Sequence, residues 1–134
     1  MKKISLYFMI ILGLLLVGCN QASPSLRGTY QSEWTQDGYI IQMSFDAKDE
    51  TFVQYIDNRA VDQGTFRKEE ANTYLLESDV QKITISLADT DIFDITIPNM
   101  NSGQPIQLTN IDKTPLIFGT DFDDVEQYKD LLTD

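Results

Sequence analysis

Histidine is absent from the 134 residues, and cysteine occurs once. Without imidazole there is no Ser-His-Asp system and no Cys-His pair, and zinc sites built on His or Cys have no ligand set. A single cysteine also rules out a disulfide within the chain. The seven glycines form no phosphate-binding loop. Basic residues are scarce as well, ten against 21 acidic ones, for a net charge of −11. Such a surface repels nucleic acid and anionic lipid headgroups, so neither is an expected partner. Carboxylates, lysines and tyrosines are all that remains for catalysis, and close carboxylates arise by chance on so acidic a domain. The expectation is a protein that is not an enzyme and uses no cofactor or metal.

The N-terminus has the order of a secretory signal peptide. Lys2 and Lys3 are followed by an apolar run from Ile4 to Leu16, interrupted by Ser5, Tyr7 and Gly13. Small residues then lead to the lone Cys19. Leu16-Val17-Gly18-Cys19 resembles a lipobox, the cleavage and lipidation motif of bacterial lipoproteins. The resemblance implies signal-peptidase recognition of Leu16, Val17 and Gly18, and a thioether to diacylglycerol on Cys19. The competing reading is a plain transmembrane anchor, because the run approaches membrane-spanning length.

Cleavage would leave eight basic residues against 21 acidic ones, a net charge of −13. A body of that charge gains nothing from anionic headgroups, so its membrane attachment would rest on the lipid of Cys19. Asn20 to Ser25 is polar and carries one proline, as a tether does. The expected division is residues 1–18 as signal peptide, 19–25 as acylated cysteine and tether, and 26–134 as one domain. The expected location is the extracytoplasmic face of the cell membrane, as a lipid-anchored monomer.

From Leu26 onward apolar residues recur at period two, and turn residues arrive every eight to twelve positions. Gly28, Tyr30, Ser32 and Trp34 share one face of the first candidate strand. Tyr39, Ile41, Met43 and Phe45 share one face of the second. Thr51 to Ile56 forms a third, in which Phe52 opposes Val53 and Tyr55 and the inner face is undecided. Val61 to Arg67, Thr73 to Glu77, and Ile83 to Leu87 follow. Asp89-Thr90-Asp91 then predicts a hairpin into Ile92 to Ile97, the clearest in the chain, and Ile106 and Leu108 line the last strand. Eight strands joined by short turns predict an all-β fold, an antiparallel up-and-down barrel. Val125, Tyr128, Leu131 and Leu132 share a helical face, and Asp123 with Glu126 has capping-box spacing. One C-terminal helix is expected over a barrel end or edge.

Gly28-Thr29-Tyr30 is echoed by Gly64-Thr65-Phe66. A Gly-Thr-Tyr opening the first strand and a second Gly-Thr-aromatic in the fourth resemble small lipocalin-like lipoproteins of Gram-positive bacteria, over roughly Leu26 to Leu108. The resemblance implies a calycin-type barrel, and most members of that group have no known activity. The Gly-x-Trp of true lipocalins is missing from strand one, with Trp34 four residues beyond Tyr30.

Two acidic groups look like sites at first sight. Asp121 to Glu126 offers hard oxygen ligands for calcium, but it lacks the central glycine and loop length of a helix-loop-helix site and better suits acids at a helix N-terminus. Asp89 and Asp91 are ordinary turn chemistry. Tyr30, Phe45, Phe66 and Phe93, with Trp34, Tyr39 and Tyr74, are the candidate lining of a barrel cavity. An eight-stranded barrel is either filled by such side chains or holds one small ligand. The expected function is a non-catalytic interaction module of the cell envelope, with an unknown protein partner. The alternative is a binder of a small apolar ligand inside the barrel. A third reading bypasses the domain, since Ile11 to Gly18 resembles the apolar octapeptide pheromones that some Gram-positive cocci cut from lipoprotein signals.

Overall fold

In the computed structural model, which describes residues 23–133, eight strands follow the predicted alternation. They are β1 (Gly28–Ser32), β2 (Ile41–Asp46), β3 (Thr51–Ile56), β4 (Arg59–Lys68), β5 (Thr73–Ser78), β6 (Lys82–Ser86), β7 (Ile92–Ile95) and β8 (Ile106–Asp112). A short helix, α1 (Val125–Lys129), runs into a 3-10 turn over Asp130–Leu132. The signal-peptide residues and Cys19 lie outside the described residues. Among the described residues no helix is long and apolar enough to cross a membrane.

All eight strands join one antiparallel sheet in the order β6-β5-β4-β3-β2-β1-β8-β7. Pairing of β8 with β1 curls the sheet into a nearly closed barrel. The fold is the expected all-β barrel with a single C-terminal helix. The predicted hairpin across Asp89-Thr90-Asp91, however, does not form a ladder. β6 pairs with β5 and β7 with β8, leaving the seam of the barrel between β6 and β7. The backbone explains why. Leu87 N–H donates to the Asn72 carbonyl at 2.8 Å, which ties the end of β6 to the β4–β5 turn, and Asp91 sits in the left-handed region with φ 63°. The turn closes with two bonds, Ala88 N–H to the Ile92 carbonyl and Asp91 N–H to the Ala88 carbonyl, both at 2.9 Å, and the strands then part.

Inward positions follow period two around the barrel except in β4, where an irregularity at Val61 leaves it and Phe66, an odd number of positions apart, both in the core. Tyr30, Met43, Phe45, Phe52, Leu76, Ile85, Phe93 and Leu108 belong to one buried cluster. Phe52 lies opposite Phe45, which puts Gln54 and Ile56 on the inner face of β3 and Val53 and Tyr55 outside. The inner aromatic rings touch. Tyr30 and Phe93 have centroids 4.9 Å apart, Phe45 and Phe66 5.3 Å, and Tyr30 and Phe45 5.6 Å. The middle of the barrel is therefore occupied by its own side chains.

The two Gly-Thr-aromatic segments share a backbone cause. A Cβ on Gly64 would lie 2.0 Å from the Glu77 carbonyl oxygen of β5. One on Gly28, whose φ is +82°, would lie 2.1 Å from the Asp112 carbonyl oxygen of β8. At both positions the neighbouring strand passes where a side chain would begin.

Residues 113–118, which show no alternation, run as a strap over the outer faces of β1, β2 and β3. Thr29 Oγ1 lies 3.0 Å from the Thr114 carbonyl and accepts the Leu116 N–H at 2.7 Å. The Ser44 hydroxyl donates to the Leu116 carbonyl at 2.6 Å, and Phe118 meets the Tyr55 ring edge-on at 4.9 Å. Thr29 and Ser44 are buried for this reason, although they point away from the core.

The chain then reaches the barrel end formed by Ile41, Ile56 and Arg59. There Tyr128 and Leu131 pack on the core and Leu132 is buried. Leu26 is buried at the opposite end, where its N–H meets the Tyr74 hydroxyl at 3.3 Å. The predicted Asp123–Glu126 capping box is absent. Helix α1 starts after Asp124, whose carboxylate makes no cap bond because Arg59 holds it at 2.9 and 3.0 Å.

Candidate functional site

A groove of about 570 Å3 lies on the outside of the barrel, against the β1–β8 pair. Gln31 and Thr109 are directly opposed in the ladder and face outward, with Gln107 and Ile111 two residues either side of Thr109 on the same face. The β1–β2 connection forms the rim, bringing Glu33, Trp34, Thr35 and Gln36 to the groove. A third wall is the turn at Asn101, followed by Pro105.

Hydrogen bonds set the rim in place. The connection is held internally by Gly38 N–H to the Thr35 carbonyl at 3.0 Å and by Tyr39 N–H to Thr35 Oγ1 at 3.0 Å. It is bolted to the Asn101 turn by two further bonds, Gln36 N–H to Asn101 Oδ1 at 3.2 Å and Asn101 N–H to Asp37 Oδ2 at 2.6 Å. The groove is thus framed by two loops that fix each other across the barrel end.

Trp34 is the feature that stands out. It is 69% exposed, and Ile111 in the same groove is 51% exposed. The other members of the predicted cavity lining lie elsewhere. Tyr30, Phe45, Phe66, Tyr74 and Phe93 are buried in the core, and Tyr39 packs half-buried on Tyr128, ring centroids 5.9 Å apart. Trp34 parts company with them because β1 ends at Ser32, so the alternation that would aim it inward has already stopped.

The barrel interior has a polar corner that the alternation did not reveal. Gln54 is fully buried on the inner face, and its Oε1 accepts from Gln81 Nε2 at 2.6 Å. Gln81 Nε2 also reaches Asp62 Oδ2 at 2.6 Å, and the Ser78 hydroxyl donates to the same oxygen at 2.7 Å. Gln54 Nε2 has no acceptor among the described residues. A strand irregularity between Gln54 and Tyr55 marks the spot, but the residue types alone read as ordinary solvent-facing positions.

One residue of each acidic group, Asp91 and Asp124, is engaged in structure. Asp91 accepts the Tyr30 hydroxyl at 2.5 Å and pairs with Lys113. Burial first, and then Asp91, push the Tyr30 hydroxyl far above its ordinary pKa, so it stays protonated and acts as a donor. Asp124 is held below the usual carboxylate range by its bonds to Arg59. The Arg59 guanidinium lies 3.8 Å from the Phe122 ring centroid and 4.6 Å from that of Tyr128. Asp124 therefore serves as a clasp for the C-terminal segment. Among the described residues no group of three or more acidic or other ligating side chains is placed to hold a metal ion.

These features define a small eight-stranded antiparallel barrel with one C-terminal helix, consistent in general with a calycin or lipocalin-like fold. No family model matches the chain, and no curated protein or solved structure matches it either.

Proposed function

We propose that the chain is a non-catalytic, small-ligand-binding protein of the bacterial envelope, and that its ligand sits in the outer groove beside Trp34. The exposed indole in a groove of about 570 Å3 carries this reading. Small-molecule sites commonly occupy about 300–1,000 Å3. The barrel interior is taken up by touching aromatic rings, so the wall of the barrel acts as a rigid support. A protein-interaction module fits less well. A stable interface buries about 800 Å2 on each partner, whereas among the described residues the exposed large apolar ones, Trp34, Val80, Ile111 and Ile117, are scattered, and only Trp34 and Ile111 share a groove.

The lipobox supports the rest of the proposal. Residues 1–18 would be removed, Cys19 would carry the lipid, and the domain would stand as a monomer on the extracytoplasmic face of the cell membrane. Metabolic labelling with a radioactive fatty acid should mark the wild-type protein and not Cys19→Ala. An unlabelled wild type would sink the anchor and leave the groove untouched. For the groove, the indole N–H of Trp34 is the reporter. On titration of the full chain with a library of small polar compounds, its NMR resonance should shift saturably with at least one of them. Shifts confined to inner residues such as Ile85 and Phe93 would move the site into the barrel. A library that shifts no resonance would count against ligand binding altogether.

A further inference from the structure

We propose that the groove beside Trp34 takes an uncharged saccharide, one sugar ring stacked on the indole and its hydroxyls held by the amides and hydroxyls of the β1–β8 wall. This inference rests on the groove being the ligand site, and it names the chemical class of the ligand.

Charge is the first ground. The chain carries 21 acidic and 10 basic residues, yet among the described residues Glu33 is the only charged one lining the groove. A phosphate or carboxylate ligand would find no cation there and would sit on a strongly acidic protein. A cationic ligand would find one carboxylate, while acids elsewhere on the surface offer more. The groove is suited to a neutral molecule.

Polarity is the second ground. Gln31, Gln107 and Thr109 project from the same outward face, and Gln36 stands at the rim. Covering these groups with an apolar ligand would strip water from amides and hydroxyls without replacing the lost hydrogen bonds. A polyol replaces them, because each sugar hydroxyl both donates and accepts, and each glutamine offers two donors and an acceptor. Glu33 adds a carboxylate that can accept from two neighbouring hydroxyls.

The indole supplies what amides cannot. The axial C–H groups of a pyranose form a flat, weakly apolar face that matches a flat aromatic ring, whose negative π-surface attracts polarised hydrogens. An exposed tryptophan bordered by neutral hydrogen-bonding side chains thus offers both kinds of contact to one molecule. The rim is fixed beforehand by the Gln36–Asn101 and Asn101–Asp37 bonds, so little loop ordering is lost on binding.

Trp34 is the only tryptophan in the chain, so intrinsic fluorescence reports on the groove alone. The full chain is titrated with maltose, cellobiose, lactose and N,N′-diacetylchitobiose, alongside sialyllactose as an anionic sugar and octanol as an apolar probe. A saturable change in Trp34 emission is expected with at least one neutral disaccharide and with neither sialyllactose nor octanol. By isothermal calorimetry, Trp34→Ala should abolish binding, and Gln107→Ala or Thr109→Ala should weaken it about tenfold, the loss of one hydrogen bond. Circular dichroism should be unchanged in all three, since none of these side chains belongs to the core. A response to sialyllactose or octanol alone would overturn the saccharide assignment and keep the groove as a ligand site. So would silence toward all four neutral sugars when the polar-compound titration does shift Trp34. If Trp34 answers to nothing in either experiment, the groove itself fails.

Discussion

Ile95 and Thr96 are neighbours in sequence with opposite environments, the first buried in the core and the second exposed. Ile95→Asp places a carboxylate among apolar side chains with no partner, which costs several kcal/mol or forces protonation. Against the roughly 5–15 kcal/mol that holds a small domain together, most of the folded population should be lost. Thr96→Asp should change stability by less than about 0.5 kcal/mol. Urea melts of the pair decide it, and a reversed order would mean that β7 is shifted by one residue. At this scale the alternation is a good guide where a strand persists, as at Phe45, Phe66 and Phe93. It fails at Trp34, because a periodic pattern does not announce where the strand carrying it stops. It also fails at Gln54, a polar residue on an inward position that Gln81 and Asp62 make tolerable only through contacts distant in sequence.

Elements joined by local signals were legible, and those joined by distant ones were not. The order of eight strands and a final helix could be read from turns and periods. The seam between β6 and β7 could not, since it depends on Leu87 being tied to Asn72 and on β8 crossing back to β1. The strap over residues 113–118 has no alternation because it lies on the sheet rather than in it. Helix α1, only five residues long, draws its stability from docking rather than from propensity. Its clasp is the Arg59–Asp124 pair, with Arg59 lying over Phe122 and Tyr128. The lowered pKa of Asp124 gives the clasp a pH signature. A carboxyl with a folded-state pKa below its unfolded value stabilises the fold above about pH 4. That contribution fades as pH falls through the lowered value. Asp124→Asn should therefore lower the urea midpoint by a constant amount from neutral pH down to about pH 4, and the gap should close in stronger acid. A gap that does not narrow at all as the pH falls below about 4 would show that the carboxylate is not what the clasp uses.

On the scale of the whole molecule, one core reaches from Leu26 at one barrel end to Leu132 at the other, so both termini of the domain are sealed into the same packed interior. A single cooperative unfolding transition is the natural consequence. Around that core stands an excess of 11 negative charges over the full chain, and the described ion pairs do little to relieve it. Apart from Arg59–Asp124, each of them has at least one largely exposed side chain, where pairing is worth little. Repulsion among the unpaired carboxylates is thus the larger long-range effect, and folding concentrates it by bringing distant parts of the chain together. Salt at about 0.15 M screens charges beyond roughly 8 Å, which reaches most of these repulsions while leaving close pairs less affected. Raising sodium chloride from a few millimolar to about 0.15 M should therefore raise the urea midpoint, with the slope of the transition unchanged. Sodium perchlorate, whose anion does not strengthen apolar burial, should act in the same direction over that range if screening is the cause. A midpoint that falls with both salts would mean that the ion pairs outweigh the repulsion, and the Arg59–Asp124 clasp would then be contributing more than its exposure suggests.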